Sequence, residues 1–389
     1  MKILLVGGGS GGHITPLLAI ANKINEKHSL YKVSIVSERR GAFNHLFEGT
    51  NQNASVYYIN AGKYRRYHGE SFARKIFDFK TFILNIRDIF KLALGVGESL
   101  LLLIKIRPNV VFIKGGYVGV PVGLASRILR IPYVTHDSDA LPGLTNRLIA
   151  KKARANAVGM PTNDYPYPKN KLAYVGIPVT KDFLDISKET RLRKRRELEI
   201  VSSDFLLLIT GGSNGAQRLD KIVHASLKKL LQDNPKLNII HQVGKGNEEL
   251  YADFPAHLHS RIRVASFLRP LSSYIAAADA VITRAGATAI TEIGLQKKPI
   301  IIVPNPYLSG GHQLKNAKFY KDKKSALVVS ESEALEDPKP LIDALDGLIS
   351  SRDLRDDLAT KLYGITQKNA AEKITDLLID IAHKKGQFS

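Results

Sequence analysis

The sequence predicts an α/β protein built from two doubly wound parallel-sheet domains joined in series. Three observations carry that prediction. Short apolar runs alternate with segments whose apolar residues recur at helical spacing, which is the signature of βαβ units. A glycine turn follows such a run three times, at residues 7–12 (GGGSGG), 114–117 (KGGY) and 211–215 (GGSNG). The alternation then breaks across a charged, strandless stretch at 180–203 and restarts at Phe205. The expected division is an N-terminal domain over 1–178, a C-terminal domain over 179–370, and a helix over 371–389 that packs back on the N-terminal domain.

Composition bounds the chemistry. At 389 residues, with 44% hydrophobic and 24% charged residues, the chain is long enough for two cored domains and reads as globular. It has no cysteine, so disulfides and thiolate catalysis are excluded and a reducing compartment is suited. No stretch has the roughly 18 uninterrupted apolar residues of a spanning helix. The formal charge of +21 calls for a polyanionic partner, whether nucleic acid, anionic lipid or a phosphorylated substrate.

Taken in order, Lys2–Val6 reads as a buried strand, and the first glycine turn leads to Thr15 as N-cap and Pro16 at the first helical position. Leu17, Leu18, Ile20, Ala21 and Ile24 give that helix its apolar face. Gly7, Gly9 and Gly12 satisfy GxGxxG, and Glu38 after the next strand has the place of an acidic ribose partner in a dinucleotide site. His13, just behind the turn, is either a general base for a hydroxyl delivered there or a residue that merely caps the loop. From 63 to 107 the chain carries ten basic residues against four acidic ones, interleaved with Phe82, Ile83, Ile86, Ile89, Phe90 and other apolar residues. Such a segment suits contact with anionic lipid; a core-facing apolar side with solvated lysines is the alternative. Strands are expected at 110–113 and 133–135, the second running into HDSD (His136 to Asp139). His136, Asp137 and Asp139 are expected as loop residues at the sheet edge and not as metal ligands. Helices follow at 121–130 and 142–153, and a strand at 174–176.

In the second half, strands are expected at Phe205–Thr210, 238–243 and 263–267, and an amphipathic helix at 370–383. The most informative stretch runs from 280 to 316. A buried strand there passes through Arg284 and small residues into a helix start, which leaves free N–H groups and a positive dipole end. That is an anion seat. A second strand, 299–303, ends beside it in a loop that hands over to His312, Gln313 and Asn316. Glu292, about one helical turn in, is placed to reach a ligand at the first loop. Amides for phosphates, a carboxylate for ribose hydroxyls, and amide and imidazole for sugar hydroxyls together fit a nucleotide sugar.

The motifs GGGSGGH, GGY, PGLTNR, GGSNGA, HQVGKG, RAGATAITEI and HQLKNA, in this order and spacing, resemble the MurG family, GT-B enzymes of glycosyltransferase family 28. The resemblance covers nearly the whole chain. It implies two Rossmann-like domains facing a cleft, and transfer of GlcNAc from UDP-GlcNAc to undecaprenyl-diphospho-MurNAc-pentapeptide in peptidoglycan synthesis, on which cell shape and division depend. Carried onto this sequence, the donor diphosphate and ribose would meet Ala287, Thr288, Ala289, Ile290, Thr291 and Glu292. Leu268 would meet the uracil through its backbone, Ser213 and Arg284 would lie near the phosphates, and His312 and Gln313 near the GlcNAc hydroxyls. Gly9, Ser10, Gly115, Gly116 and Tyr117 would receive the acceptor, with Ser10, Gly11, Gly12 and Asp139 also on the donor side. His13 would be the catalytic base for the muramoyl C4 hydroxyl. No metal or other cofactor is implied. The enzyme would sit peripherally on the cytoplasmic side of the membrane, with an anionic lipid surface and no nucleic acid as partner.

Two motifs depart from the family's pattern. HDSD stands where HEQN is usual, placing Asp139 at a donor-contacting asparagine, and GIPVT (176–180) replaces GNPVR, losing an arginine near the phosphates. A relative with a different lipid acceptor, a UDP-GlcNAc epimerase, a nicotinamide-dependent enzyme and a nucleic-acid scaffold are the other readings. An epimerase has no use for a lipid-docking face, and a scaffold has no use for Glu292 or Gln313.

Overall fold

The computed structural model describes residues 1–48, 54–63, 79–161, 164–184, 187–212, 215–244, 246–252 and 254–386. They form two compact units: Met1–Thr180 together with Asn369–Ser389, and Lys181–Lys368.

The first unit holds seven parallel strands: β1 (Lys2–Val6), β2 (Lys32–Glu38), β3 (Ala54–Ile59), β4 (Val110–Ile113), β5 (Tyr133–Asp137), β6 (Ala155–Val158) and β7 (Leu172–Tyr174), in the order β3-β2-β1-β4-β5-β6-β7. Leu4 pairs with Ser34 on one side and Val111 on the other. Successive β1 residues alternate between two cores, Ile3 and Leu5 facing one, Leu4 and Val6 the other. That is why these strands read as unbroken apolar runs. Helix α1 (Gly11–Lys27) covers one face through Leu17, Ile20 and Ile24; α2 (Phe79–Ile106) and α3 (Gly119–Ile128) cover the other. The short α4 (Leu144–Ile149) follows β5.

The second unit repeats the scheme with β8 (Phe205–Thr210), β9 (Leu237–Gln242), β10 (Ile262–Ala265), β11 (Ala280–Thr283), β12 (Ile300–Ile302) and β13 (Leu327–Val328), ordered β10-β9-β8-β11-β12-β13. Its helices are α5 (Lys188–Glu197), α6 (Gln217–Asp233), α7 (Leu271–Ala277), α8 (Ala287–Leu295), α9 (His312–Asp322), α10 (Glu331–Glu336), α11 (Lys339–Ser350) and α12 (Arg352–Ile365). The last helix, α13 (Ala370–Gly386), belongs to the first unit. Ile374, Leu378 and Ile381 complete the core beside α1, and Lys27 donates to Glu372 and Asp376 at 2.9 Å each.

In both sheets the strand order reverses once, between β1 and β4 and between β8 and β11. Ligands of doubly wound sheets bind beyond the carboxyl ends of the strands at such switch points. The glycine turns at 7–10 and 114–117 leave β1 and β4; Gly211 and Gly212 leave β8, and the turn at 284–286 leaves β11.

Several sequence expectations need correcting. Helix α1 starts at Gly11, with Ser10 as N-cap, and Pro16 lies inside it. Pro16 offers no N–H to the Gly12 carbonyl, and beside it Thr15 donates its hydroxyl to Gly11 O at 3.2 Å. His13 is therefore in the first helical turn. His136 and Asp137 are the buried last residues of β5 and not loop residues. Of the basic, aromatic segment 63–107, residues 64–78 lie outside the described residues, and so does Ser213.

Candidate active site

In the first unit two glycine turns interlock. Gly116 has φ +74°, and a Cβ there would lie 2.3 Å from Gly8 O; a Cβ on Gly9, at φ +85°, would meet the Tyr117 ring at 2.9 Å. Only glycine fits such an approach. Glu38 closes the first turn by accepting the Gly9 N–H at 2.9 Å and the Ser37 hydroxyl at 3.0 Å, and the Tyr117 hydroxyl also bonds to it. Burial and that carboxylate push the Tyr117 phenol up to about 12. The acid that completes the dinucleotide-like pattern thus holds the turn shut, its carboxylate engaged by Gly9, Ser37 and Tyr117. The nicotinamide reading loses its footing.

Ser10 does not cap its helix. Its hydroxyl lies 2.9 Å from His13 Nδ1, which leaves the first-turn amides at Gly11 and Gly12 without a side-chain cap. His13 is half-buried, and burial, then the charge of Lys114, lowers its imidazole to about 4; Asp139 and a bond to the Gly8 carbonyl pull the other way. It is neutral at pH 7. Gly115 lies against its other nitrogen: a Cβ there would be 3.5 Å from Nε2.

The end of β5 closes the same edge. Asp137 accepts from Tyr167 Oη at 2.6 Å, Asn146 Nδ2 at 2.9 Å and Gly143 N at 3.0 Å, and Asn146 also donates to the His136 carbonyl at 2.8 Å. His136 Nε2 lies 2.8 Å from Gly176 O, and burial holds this ring neutral. Asp139 is half-buried, its carbonyl taking the Tyr165 hydroxyl at 2.7 Å. Gly9, Ser10, Gly11, Gly12, His13, Gly115, Gly116, Tyr117 and Asp139 therefore gather at the carboxyl ends of β1, β4 and β5. Lys114, Ser138, Asn146 and Tyr167 belong to this edge too.

In the second unit, Gly286 caps α8 without a side-chain bond, and the first helical bond runs from Ile290 N to Gly286 O at 3.0 Å. The amides of Ala287, Thr288 and Ala289 precede it and point out of the helix start. Ile290 itself offers little: its amide is bonded and its side chain is core. Thr291 donates its hydroxyl to Ala287 O at 2.9 Å. Arg284 differs from expectation as well. Its guanidinium pairs with buried Glu331 and donates to Val303 O at 3.0 Å, so its charge is balanced inside the unit. Glu292 is 8% exposed, and burial pushes its carboxyl up to about 8.

Helix α9 also opens bare, on Gly311 at φ +64°. Asn316 ties it to the anion turn by donating to Ala285 O at 2.9 Å, and Gln313 Oε1 accepts from Asn305 N at 2.8 Å, leaving its NH2 for a ligand. His312 is half-buried at the first helical position. The turn after β8 touches the loop after β9, since a Cβ on Gly215 would lie 2.4 Å from Gly244 Cα. Beneath them Asp220 joins His241 at 3.2 Å and Asn247 at 2.9 Å. Leu268, past β10, keeps its side chain buried. Each of these loops leaves the carboxyl edge of the second sheet.

Two family models match, the N-terminal domain of glycosyltransferase family 28 over residues 3–158 and its C-terminal domain over 206–377. A protein of Clostridium kluyveri named UDP-N-acetylglucosamine–N-acetylmuramyl-(pentapeptide) pyrophosphoryl-undecaprenol N-acetylglucosamine transferase is 32% identical over 378 residues, 97% of this chain and 98% of that one. The chain belongs to glycosyltransferase family 28. A Flavobacterium psychrophilum protein of the same name is 29% identical, covering 99% of this chain and 98% of its own. Among solved structures, MurG of Acinetobacter baumannii superposes with a TM-score of 0.70 at 27% identity, over 97% of this chain and 99% of that one. A UDP-GlcNAc 2-epimerase of Neisseria meningitidis reaches 0.66 at 14% identity over 98% of this chain and all of that one, a likeness of fold alone.

As a family 28 member with a GT-B fold, the chain departs from pattern at places the structure locates. The HDSD change falls on Asp137, the buried last residue of β5, and on the half-buried Ser138 and Asp139 after it. Thr180 closes the first unit's main segment, and the exposed Lys181 opens the second.

Proposed function

We propose that the chain is an inverting N-acetylglucosaminyltransferase that moves GlcNAc from UDP-GlcNAc to the C4 hydroxyl of undecaprenyl-diphospho-MurNAc-pentapeptide, forming a β1,4 link for peptidoglycan. The observation that carries this is the start of α8, an uncapped helix N-terminus with the buried Glu292 carboxyl behind it and its turn tied by Asn316 to α9, the helix of Gln313. The curated relatives, named as transferases of this kind, support the same substrates.

In this reading the amides of Ala287, Thr288 and Ala289 take the donor diphosphate, with Ser213 nearby, and Glu292 takes the ribose hydroxyls. The backbone of Leu268 offers the donor and acceptor that a uracil edge requires, and His312 and Gln313 read the sugar. Gly9, Ser10, Gly115, Gly116 and Tyr117 receive the lipid-linked diphosphate. As the C4 oxygen attacks the anomeric carbon, His13 takes its proton, the anomeric C–O bond breaks, and UDP leaves with the electron pair. The leaving diphosphate gains negative charge, so the α8 amides stabilise the transition state more than the ground state. Arg284 contributes only through space.

No helix among the described residues is long and apolar enough to cross a membrane. Contact with lipid falls to α2, where Ile83, Ile86, Phe90, Leu94, Leu101 and Ile104 recur on one face and are all exposed, Phe90 by 67% and Leu101 by 72%. Exposed Arg107, Arg127, Arg130 and Arg147 stand on or beside α2, α3 and α4. This is a peripheral, cytoplasmic-face docking surface for anionic lipid.

The test is UDP release from UDP-GlcNAc with and without a short-chain lipid I analogue. Release that requires the acceptor supports the transferase. Release without acceptor, or only from another nucleotide sugar, overturns the substrate assignment.

A further inference from the structure

We propose that Arg218 is a positioning residue for the sugar half of the donor: paired with buried Glu331 and stacked on Tyr307, it holds the loop at 304–311 in the form that leaves the Gln313 NH2 for the sugar. The inference rests on the proposed reading of Gln313 as a sugar contact.

Arg218 stands in the first turn of α6, and its guanidinium is engaged on two sides. Its Nε lies 2.7 Å from Glu331 Oε1, and its Cζ lies 4.5 Å from the centre of the Tyr307 ring. Glu331 opens α10 with its side chain wholly buried, and Arg284 pairs with its other oxygen. That carboxylate already has a buried cation in Arg284, so a second arginine is not required to balance it. What Arg218 adds is a bridge from this buried acid to an aromatic ring that is 59% exposed. A planar guanidinium pairs at its edge while its face covers a ring, which the compact ammonium of a lysine does not do.

From Tyr307 the tie runs on to Gln313. Tyr307 N donates to Asn305 Oδ1 at 2.9 Å, and Asn305 N donates to Gln313 Oε1 at 2.8 Å. The loop therefore sets the amide oxygen of Gln313 and leaves the two NH2 donors on the other side of the amide. Its far end passes through Gly310 and Gly311 at φ +83° and +64°, a glycine pair that has many other paths open to it. Asn316 holds α9 on Ala285 O, and Arg218 under Tyr307 holds the loop ahead of that helix.

The experiment measures UDP and UDP-GlcNAc binding to the full chain by calorimetry and reads the ratio of the two dissociation constants. Tyr307→Leu is expected to weaken UDP-GlcNAc binding by about two- to fivefold, the range of an exposed cation–π contact, and to leave UDP affinity in place, which also shows the unit folded. Arg218→Lys should change the ratio in the same way, and Tyr307→Phe, which keeps the ring face, should retain the parental ratio. Arg218→Lys with Tyr307→Leu should cost no more than either alone, because both remove one contact. Combined with Gln313→Ala, Tyr307→Leu should have no further effect on the ratio. A parental ratio in Tyr307→Leu, a loss shared by Tyr307→Phe, or a loss that adds to that of Gln313→Ala overturns the proposal. Unsubstituted protein that does not bind UDP-GlcNAc, or parental affinities in Gln313→Ala, counts against the proposed function; a parental ratio in Tyr307→Leu while Gln313→Ala loses UDP-GlcNAc counts against Arg218 alone.

Discussion

Replacing Glu292 by Gln should strengthen the protein and weaken its hold on the donor. The side chain lies in α8 with 8% of its surface exposed, and burial raises its carboxyl from 4.5 to about 8. A carboxyl raised in the folded state gives a contribution fully present below the unfolded value and lost as pH rises through the folded one. At pH 7 the unfolded chain has ionised and the folded chain has not. Holding the proton across those two and a half units costs about 3 kcal/mol, at 1.36 kcal/mol per unit. Gln carries no such cost, so Glu292→Gln should match the parent near pH 4.5 and exceed it by that order at pH 7 to 8, several degrees in Tm for a unit of this size. Donor binding moves the other way. Two ribose hydroxyls bonded to an ionised carboxylate contribute about 1.5–3 kcal/mol each, less about 1.4 kcal/mol for ionising the group at pH 7, so UDP should bind roughly ten- to a thousandfold more weakly to the variant. Parent binding should release a proton near pH 7, and variant binding should not. Thermal melts from pH 4.5 to 8.5 and calorimetry in two buffers of different ionisation enthalpy measure both effects. Equal stability across that range together with equal UDP affinity would refute the placement of Glu292 in the donor seat.

His13→Ala should lower turnover by about a hundredfold or more while changing UDP affinity by less than about threefold, as expected for a general base; a near-normal rate would leave the ring structural. Thr288→Asp puts a carboxylate in the first turn of α8, where the dipole favours it by about 0.3–1 kcal/mol, so the melt should hold or rise while UDP binding is lost; retained binding would mean the diphosphate sits elsewhere. Phe90→Glu with Leu94→Glu, both on the exposed face of α2, should cut partitioning to anionic vesicles by about a hundredfold, since each buried apolar side chain is worth about 1.5–3 kcal/mol, and leave UDP affinity alone. Vesicle binding of the parent should fall steeply between low and physiological salt, and UDP binding in the α8 seat much less; equal salt slopes would contradict the division of charge described below.

The strand and turn framework was readable because a strand covered on both faces is a short apolar run, and glycine marks where it leaves the sheet. Elements lacking that pattern were not readable. β3 is half exposed along its length, β13 is two residues long, and α1 hid its first turn behind glycines and a proline that ordinarily marks a helix start. At the sites, sequence placed residues on the right strand ends but could not say which were engaged by the fold. Glu38 is bonded to a turn 29 residues away, and Arg284 to a carboxylate 47 positions further along the chain. Lys114 lay within a glycine motif already noted, yet its bond to Ser138, 24 residues away, is made only by the sheet.

One physical regularity links these cases. Cations at the strand ends are balanced within the fold: Arg284 by Glu331, Lys298 by the carbonyls of Ala276 and Ala278 at 2.7 Å each, and Lys114 by Ser138 and the nearby aspartates. The proposed anion seat at the start of α8 would be made of backbone amides, whose partial charges are fixed by the helix and need no side chain to be ordered. Exposed basic residues on and beside α2, α3 and α4, among them Arg107, Arg127, Arg130 and Arg147, stand outside this arrangement. On the proposed reading, amides take the soluble donor and exposed arginines with the apolar face of α2 take the lipid surface, so the two anions do not compete for one site. Donor binding and membrane attachment can then be altered independently, by substitutions in α8 and in α2.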